Sequence, residues 1–363
     1  LNSNNANANA LTADASSLAR LKAGGVDLIA SNGGAVVTLD YANAQNVATA
    51  GLRFNDGDTV RAKVSDGTIN NLNTSGQASS SDAGIASIKA NATLLKAAGV
   101  DVIMANAGEL TLTVPQVQAV TGVGTATPLL KLEPTDNVLA TIRLSGTAAT
   151  TAADLNYLAD YSVSLKNAGI DQISAADGVG GFSLSTSQLS RLMSAGNSGL
   201  AIVDADTVTV SITNASDLIY VASNASAIAN FRIDAVSLAA SVQNLSVADA
   251  KSLADARLAA PANAVVSITG VLDAATGVTT ISAADLAALG SIAAQGYKTF
   301  SLNGATISDP QAQSIFNILN PVTGTVTGAV IDVSTLADAG HTGYSALGFS
   351  SNASQYKESA TIN

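Results

Sequence analysis

Hydrophobic and polar positions follow two rhythms along this chain, and the rhythms take turns in a fixed order. The runs DTVRAKV from Asp58, NVLATIRL from Asn137, DTVTVSI from Asp206 and AVVSI from Ala264 alternate with a period of two. They are rich in Val, Ile and Thr, which marks half-buried strands. Helix signals separate them. Ser81, Thr151, Asn214 and Ser282 are predicted N-caps, and Asp154, Asp217 and Asp285 stand three residues after the last three of these. A cap side chain accepts a hydrogen bond from an orphan N–H, and an acid in the first turn suits the helix dipole. Each helix is expected to stop at a glycine (Gly99, Gly169, Gly296), where a left-handed C-cap costs least. A short strand such as Val100 to Met104 follows. A second set of helices is predicted from caps at Asp40, Thr113, Ser185, Ser246 and Ser308, with Asn43, Gln116, Gln188, Asp249 and Gln311 at the third helical position. The Gln-bearing copies resemble the capping box, and Pro115 and Pro310 fall in the first turn, where a missing N–H is tolerated.

One phrase ties these elements together. LKAGGVDLI starts at Leu21, LKAAGVDVI at Leu95 and LKNAGIDQI at Leu165, roughly 70 residues apart. Worn copies start at Ile228 (IANFRIDAV) and Ile292 (IAAQGYKTF). The period is far too long for a coiled coil and predicts a tandem array of supersecondary units. The expected fold is therefore α/β, an elongated solenoid-like array of helix-strand-strand-helix-strand units. The units are read as residues 12–80, 81–150, 151–213, 214–281 and 282–333. A polar N-terminal arm, 1–11, is expected before them, and an atypical C-terminal cap or joining segment, 334–363, after them.

Composition narrows the class. Hydrophobic residues make up 47% of the chain but aromatics only 4%, with no Trp and no Cys. A core of Ala, Val, Leu and Ile suits regular layers whose units borrow apolar cover from their neighbours. The net charge of −11 offers no basic surface for a nucleic-acid backbone. No stretch approaches the roughly 20 apolar residues of a membrane helix.

Candidate chemistry is sparse. The single histidine, His341, lies near Asp338 and Ser345 but in no nucleophile-elbow pattern, and reads as a turn or surface residue. One histidine and no cysteine argue against zinc. Glycine strings at 122–124 and 178–181 lack the dinucleotide fingerprint and read as loops. The oxygen-rich turns at Asp56 and Asp58 (NDGD) and at Asp204 and Asp206 (DAD) are the candidate metal ligands, for Ca²⁺. The alternative is that Asp, Asn and Gly simply build turns there. The Asp of the repeated phrase (Asp27, Asp101, Asp171, Asp234) has two readings as well. Either these acids stack into a ladder for cations or a basic partner, or each caps its own turn or faces solvent.

The succession of a helix, AGVDxI, LTxxQ and DTVxVS resembles repeats in very large secreted surface proteins of Gram-negative bacteria, including adhesins, surface-layer and matrix proteins. The resemblance spans about residues 12–333; the Gly-Gly-x-Gly-x-Asp calcium repeat of their neighbours is absent. It implies a non-enzymatic, extracellular or cell-surface structural protein whose partners are copies of itself. The terminal segments, Leu1 to Ala10 and the tail after about Ser334, are the expected joining points. Two other readings are a stalk that binds a cell-surface glycan or other ligand, and a polysaccharide-active enzyme using acidic residues.

Overall fold

The computed structural model describes residues 5–31, 36–64, 91–105, 109–127, 129–144, 148–175 and 181–303, then 305–308, 311, 314–315, 317–318, 325–327, 330–332, 356–357 and 361–362. Helices alternate with small, mostly parallel sheets, so the chain is mixed α/β. Residues 1–182 with 188–206 form one unit, and 183–187 with 207–363 a second.

In the first unit, strands Val36–Asp40, Thr59–Val64, Val102–Ala105 and Lys131–Leu132 lie side by side in that order, all parallel. Glu109–Thr113, Asn137–Ile142, Gln172–Ala175 and Ala201–Ile202 make a second sheet of the same kind. Leu28–Ile29 and Arg53–Phe54 form a parallel pair of their own. In the second unit, Val208–Ile212 pairs in parallel with Ala235–Leu238. Asn244–Ser246, Val265–Ser267, Thr299–Ser301, Thr325–Thr327 and Tyr356–Lys357 follow in one parallel sheet. Thr306–Ser308, Val330–Asp332 and Thr361–Ile362 make another. The hairpin Val271–Leu272 with Thr279–Thr280 is antiparallel.

The period-two runs fold as their pattern requires. Along Thr59–Val64 the residues Val60, Ala62 and Val64 are buried and their neighbours are not. Val208, Val210 and Ile212 repeat the pattern in Val208–Ile212. Helices lay small apolar residues on these faces: Tyr41–Thr49 buries Tyr41, Ala44, Val47 and Ala48, a single helical stripe. Few large side chains are needed, and Phe54, Phe300 and Tyr297 are the aromatic ones fully buried.

The glycine stops hold. Gly99, Gly169 and Gly296 have φ of 85°, 92° and 97°, the left-handed region that only glycine enters freely. Gly169 is doubly required, because a Cβ there would stand 2.4 Å from the Leu132 carbonyl oxygen. In the worn copy Arg232 occupies the same place with φ of 65°.

Two local expectations are corrected. Residues 5–11 of the expected polar arm, together with Thr12, form the helix Asn5–Thr12, with Ala8 and Thr12 buried. Asn9 ties it to its own chain, accepting from Asp40 N and Asn43 Nδ2 at 2.9 Å each. Ala8 and Thr12, four residues apart, share the buried face of this helix, and Asn9 beside them makes the hydrogen bonds. Thr151 is not an N-cap: the helix runs Ala148–Asp160 through it, and Thr151 Oγ donates to the Arg143 carbonyl at 3.0 Å. Asp154 is drawn inward, 2% exposed, to take Arg143 Nε at 2.9 Å and Nη2 at 2.6 Å. That partner, outside the helix, outweighs a place in the first turn.

Candidate functional site

The aspartates of the repeated phrase form the most regular polar feature among the described residues. Each lies just before the strand that follows its glycine, and faces the start of a neighbouring parallel strand. The Asp101 N–H donates to the Val60 carbonyl at 2.9 Å, and Asp101 Oδ2 accepts from Val60 N at 3.1 Å. Asp171 binds Val138 in the same two ways, at 2.9 and 3.0 Å. Asp234 binds Val208 at 2.9 and 2.7 Å. On the opposite side the carbonyls of Asp101, Asp171 and Asp234 accept from Lys131 N, Ala201 N and Ala259 N, at 2.9, 3.2 and 2.8 Å. One residue thus joins three chain segments. The second carboxylate oxygen takes a lysine five residues back: Lys96 at 3.3 Å for Asp101 and Lys166 at 2.6 Å for Asp171.

These acids therefore neither cap their own turn nor lie idle in solvent. Each is spent on a strand start 26 to 41 residues earlier. The fifth copy carries Lys298 at this place. In the first copy Asp27 keeps the lysine, Lys22 Nζ at 2.5 Å, and its carbonyl accepts from Arg53 N at 3.0 Å. Its N–H and second carboxylate oxygen have no partner among the described residues.

A second set of acids closes the other end of the same strands. Asp58, Asp136 and Asp206 each end a tight turn, donating N–H to the carbonyls of Asn55, Glu133 and Val203 at 2.9, 3.0 and 3.3 Å. Their Oδ2 atoms accept from Ser31 N, Ala105 N and Ala175 N at 2.8, 2.7 and 2.8 Å. Asp58 also takes the Ser31 hydroxyl. The flanking strand is only two residues long in each case, so a carboxylate satisfies the donor that a longer strand would have taken. Asp136, which the sequence reading passed over, belongs with Asp58 and Asp206. Its signal is the shared Asp-(Thr/Asn)-Val string.

Of the four candidate calcium ligands, Asp58 and Asp206 are thus engaged by backbone donors. Asp56 is exposed and paired with Arg53 at 3.3 Å, and Asp204 is exposed. Among the described residues no group of three or more His, Cys, Asp and Glu side chains is placed to hold a metal ion. His341, Asp338 and Ser345 lie outside the described residues.

A surface groove of about 750 Å³ lies in the first unit, lined among others by Asp56, Asp58, Lys96, Asp101, Lys131 and Ser164. Of its carboxylates, Asp58 is engaged by Ser31 and Asp101 by Val60 and Lys96, while Asp56 makes a solvent-exposed ion pair with Arg53. Two carboxylates buried in the first unit serve structure instead. Glu133, 3% exposed, faces Arg61 with Oε2 and Nε 3.0 Å apart, and Asp154 holds Arg143, whose pKa is raised by that hydrogen bond. No helix among the described residues is long and apolar enough to cross a membrane.

No protein-family model matches this chain, and no curated protein does either.

Proposed function

We propose that this chain is an extracellular structural protein, a tandem array of α/β units that joins copies of itself into a fibre, layer or surface stalk, without enzymatic activity. The observation that carries the reading is the recurrence of one stitch, Asp101 on Val60, Asp171 on Val138 and Asp234 on Val208. Polar residues repeated at a fixed place in the sequence are used to fasten one unit to the preceding one. Repeated acids committed to strand joints support a structural rather than a catalytic use of these residues. Parallel edges left at such joints present backbone donors and acceptors that template a further strand.

In this reading calcium acts between copies. Asp56 and Asp204 are the exposed members of their turns, and a cation there would draw further oxygens from a neighbouring copy, because Ca²⁺ takes six to eight oxygen ligands.

Negative-stain electron microscopy of the purified chain, with calcium and after chelation, tests the proposal. Ordered fibres or sheets are expected, and their loss on chelation would assign the bridging role to calcium. Separate particles under both conditions would overturn self-assembly and favour the glycan-binding stalk.

A further inference from the structure

The first copy of the repeated phrase has the parts of a strand joint but, among the described residues, lacks half of it. Three separate observations say so. Asp27, the counterpart of Asp101, Asp171 and Asp234, has its N–H and one carboxylate oxygen unpartnered among the described residues, and its side chain is 78% exposed. Val26 is 36% exposed, whereas its counterparts Val100, Ile170 and Ile233 are 0–4% exposed. A Cβ on Gly25 would meet nothing within 4 Å, while one on Gly99 would meet Phe54 at 3.2 Å and one on Gly169 would meet Leu132 at 2.4 Å. At the later joints two neighbouring segments close on the phrase: Phe54 and Leu132 approach the glycines, and the strand starts at Val60 and Val138 fill the aspartates.

The sheets show what is missing. Val102–Ala105 lies between Lys131–Leu132 and Thr59–Val64, and Gln172–Ala175 between Ala201–Ile202 and Asn137–Ile142. Leu28–Ile29 has its Arg53–Phe54 neighbour, the counterpart of Lys131–Leu132, and the opposite edge is unpaired among the described strands. The absent element is a parallel strand of the kind that Thr59–Val64 and Asn137–Ile142 supply.

The same chain carries a strand of that kind near its other end. Thr306–Ser308 and Val330–Asp332 pair as Val36–Asp40 and Thr59–Val64 do, with Thr306 on Val330 as Thr38 is on Arg61. The place next to Val330–Asp332 is held by Thr361–Ile362, two residues in parallel register. A pairing that short is the readiest in its sheet to be exchanged, having the fewest ladder hydrogen bonds to lose.

We propose that Leu28–Ile29 is a docking edge for a second copy of this chain, which adds its Val330–Asp332 strand in parallel while Asp27 closes on the start of that strand. The proposal rests on the self-assembly reading above and gives it a contact type: heterologous, with one edge of each copy joined to a different edge of the next. The register follows from the internal joints. Val102 pairs with Arg61, so Leu28, its counterpart, pairs with Val330 of the second copy.

The absence of cysteine makes the test direct. In the full chain, Leu28→Cys and Val330→Cys together would bring two thiols to a parallel register pair, within the separation that a disulfide spans. Under mild oxidation the double variant is expected to give a ladder of dimers, trimers and longer species on a non-reducing gel, and each single variant no ladder. Asp27→Ala, which removes an exposed side chain whose one described ion pair is with Lys22, should leave thermal unfolding unchanged. It should weaken association roughly tenfold or more by sedimentation velocity, the worth of a charge-assisted hydrogen bond. Wild-type chains that associate with no ladder and no effect of Asp27→Ala would overturn this joint and leave self-assembly standing. Wild-type chains that stay single at every concentration would overturn both.

Discussion

Asp171 and Val138 hold each other twice: Val138 N donates to Asp171 Oδ2 at 3.0 Å, and Asp171 N returns to the Val138 carbonyl at 2.9 Å. The pair closes a small ring across two parallel strands, at the point where the strand Asn137–Ile142 begins. Lys166 holds the other carboxylate oxygen at 2.6 Å and fixes the rotamer.

Removing the carboxylate should therefore cost more than a surface charge. Asp171→Ala leaves the N–H of buried Val138 without an acceptor, a loss of about 1–3 kcal/mol. Lys166→Ala, on a partly exposed pair, should cost at most about 1 kcal/mol. Urea unfolding of the two variants checks the order; equal effects would show that the lysine, not the strand N–H, matters.

Two equivalent glycines should respond differently to one methyl group. Gly25→Ala meets only the left-handed backbone penalty, about 1–2 kcal/mol, because its φ is 86° and the space beside it is open. Gly169→Ala carries the same penalty and drives a Cβ to 2.4 Å from the Leu132 oxygen. Its melting temperature should fall clearly further than that of Gly25→Ala.

The Arg143–Asp154 pair is half in water and half out of it, with side chains 32% and 3% exposed. Arg143→Met strands a buried carboxylate and should cost about 2–3 kcal/mol, the lower side of the usual range because the guanidinium is partly solvated. Adding Asp154→Leu should recover most of that loss. A double-mutant cycle by chemical denaturation measures the coupling, and additive losses would contradict it.

Acid should reach the helix Ala15–Ala23 late. Its N-cap Asp14 has a pKa lowered to about 2, chiefly by the Ser17 and Ser16 hydroxyls. A carboxylate depressed in the folded state adds stability above its unfolded value, near 3.8, and loses it as pH falls toward 2. Asp14→Ala should remove that part of the acid response. Carboxyl chemical shifts by NMR should place the Asp14 midpoint near 2, with Asp217, lowered chiefly by the Thr213 hydroxyl, also below 3.8.

Much of the local structure was legible in the chain. Asn214, Ser246 and Ser282 each accept from the N–H three residues on, at 3.0 Å, as their spacing from Asp217, Asp249 and Asp285 predicts. Gln116 reaches back to Thr113 N at 2.7 Å, as a capping box requires. Such interactions span three or four residues, so sequence neighbours contain all the information they need. Thr151 shows the limit. It sits before an acid like the true caps, but Arg143 lies within reach of Asp154, and charge pairing beats the cap.

Apart from the short strands Arg53–Phe54, Lys131–Leu132 and Ala201–Ile202, which it did not mark, the sequence by itself determined the capped helix starts, the alternation of buried faces, the glycine stops and the existence of one repeated phrase. Each of these follows from side-chain size, backbone freedom and periodicity. Only the tertiary structure decided what the repeated aspartate is for. Its partner is a backbone N–H, a group every residue but proline carries and no sequence pattern marks, on a strand 33 residues away in the case of Asp171. The same packing made a helix of the Asn-Ala tract by giving Ala8 and Thr12 a surface to be buried against. It also left Asp27 uncovered, because its neighbouring strand place is unpaired among the described strands; Gly25, Val26 and Asp27 are the same residues as Gly99, Val100 and Asp101, and only their surroundings differ.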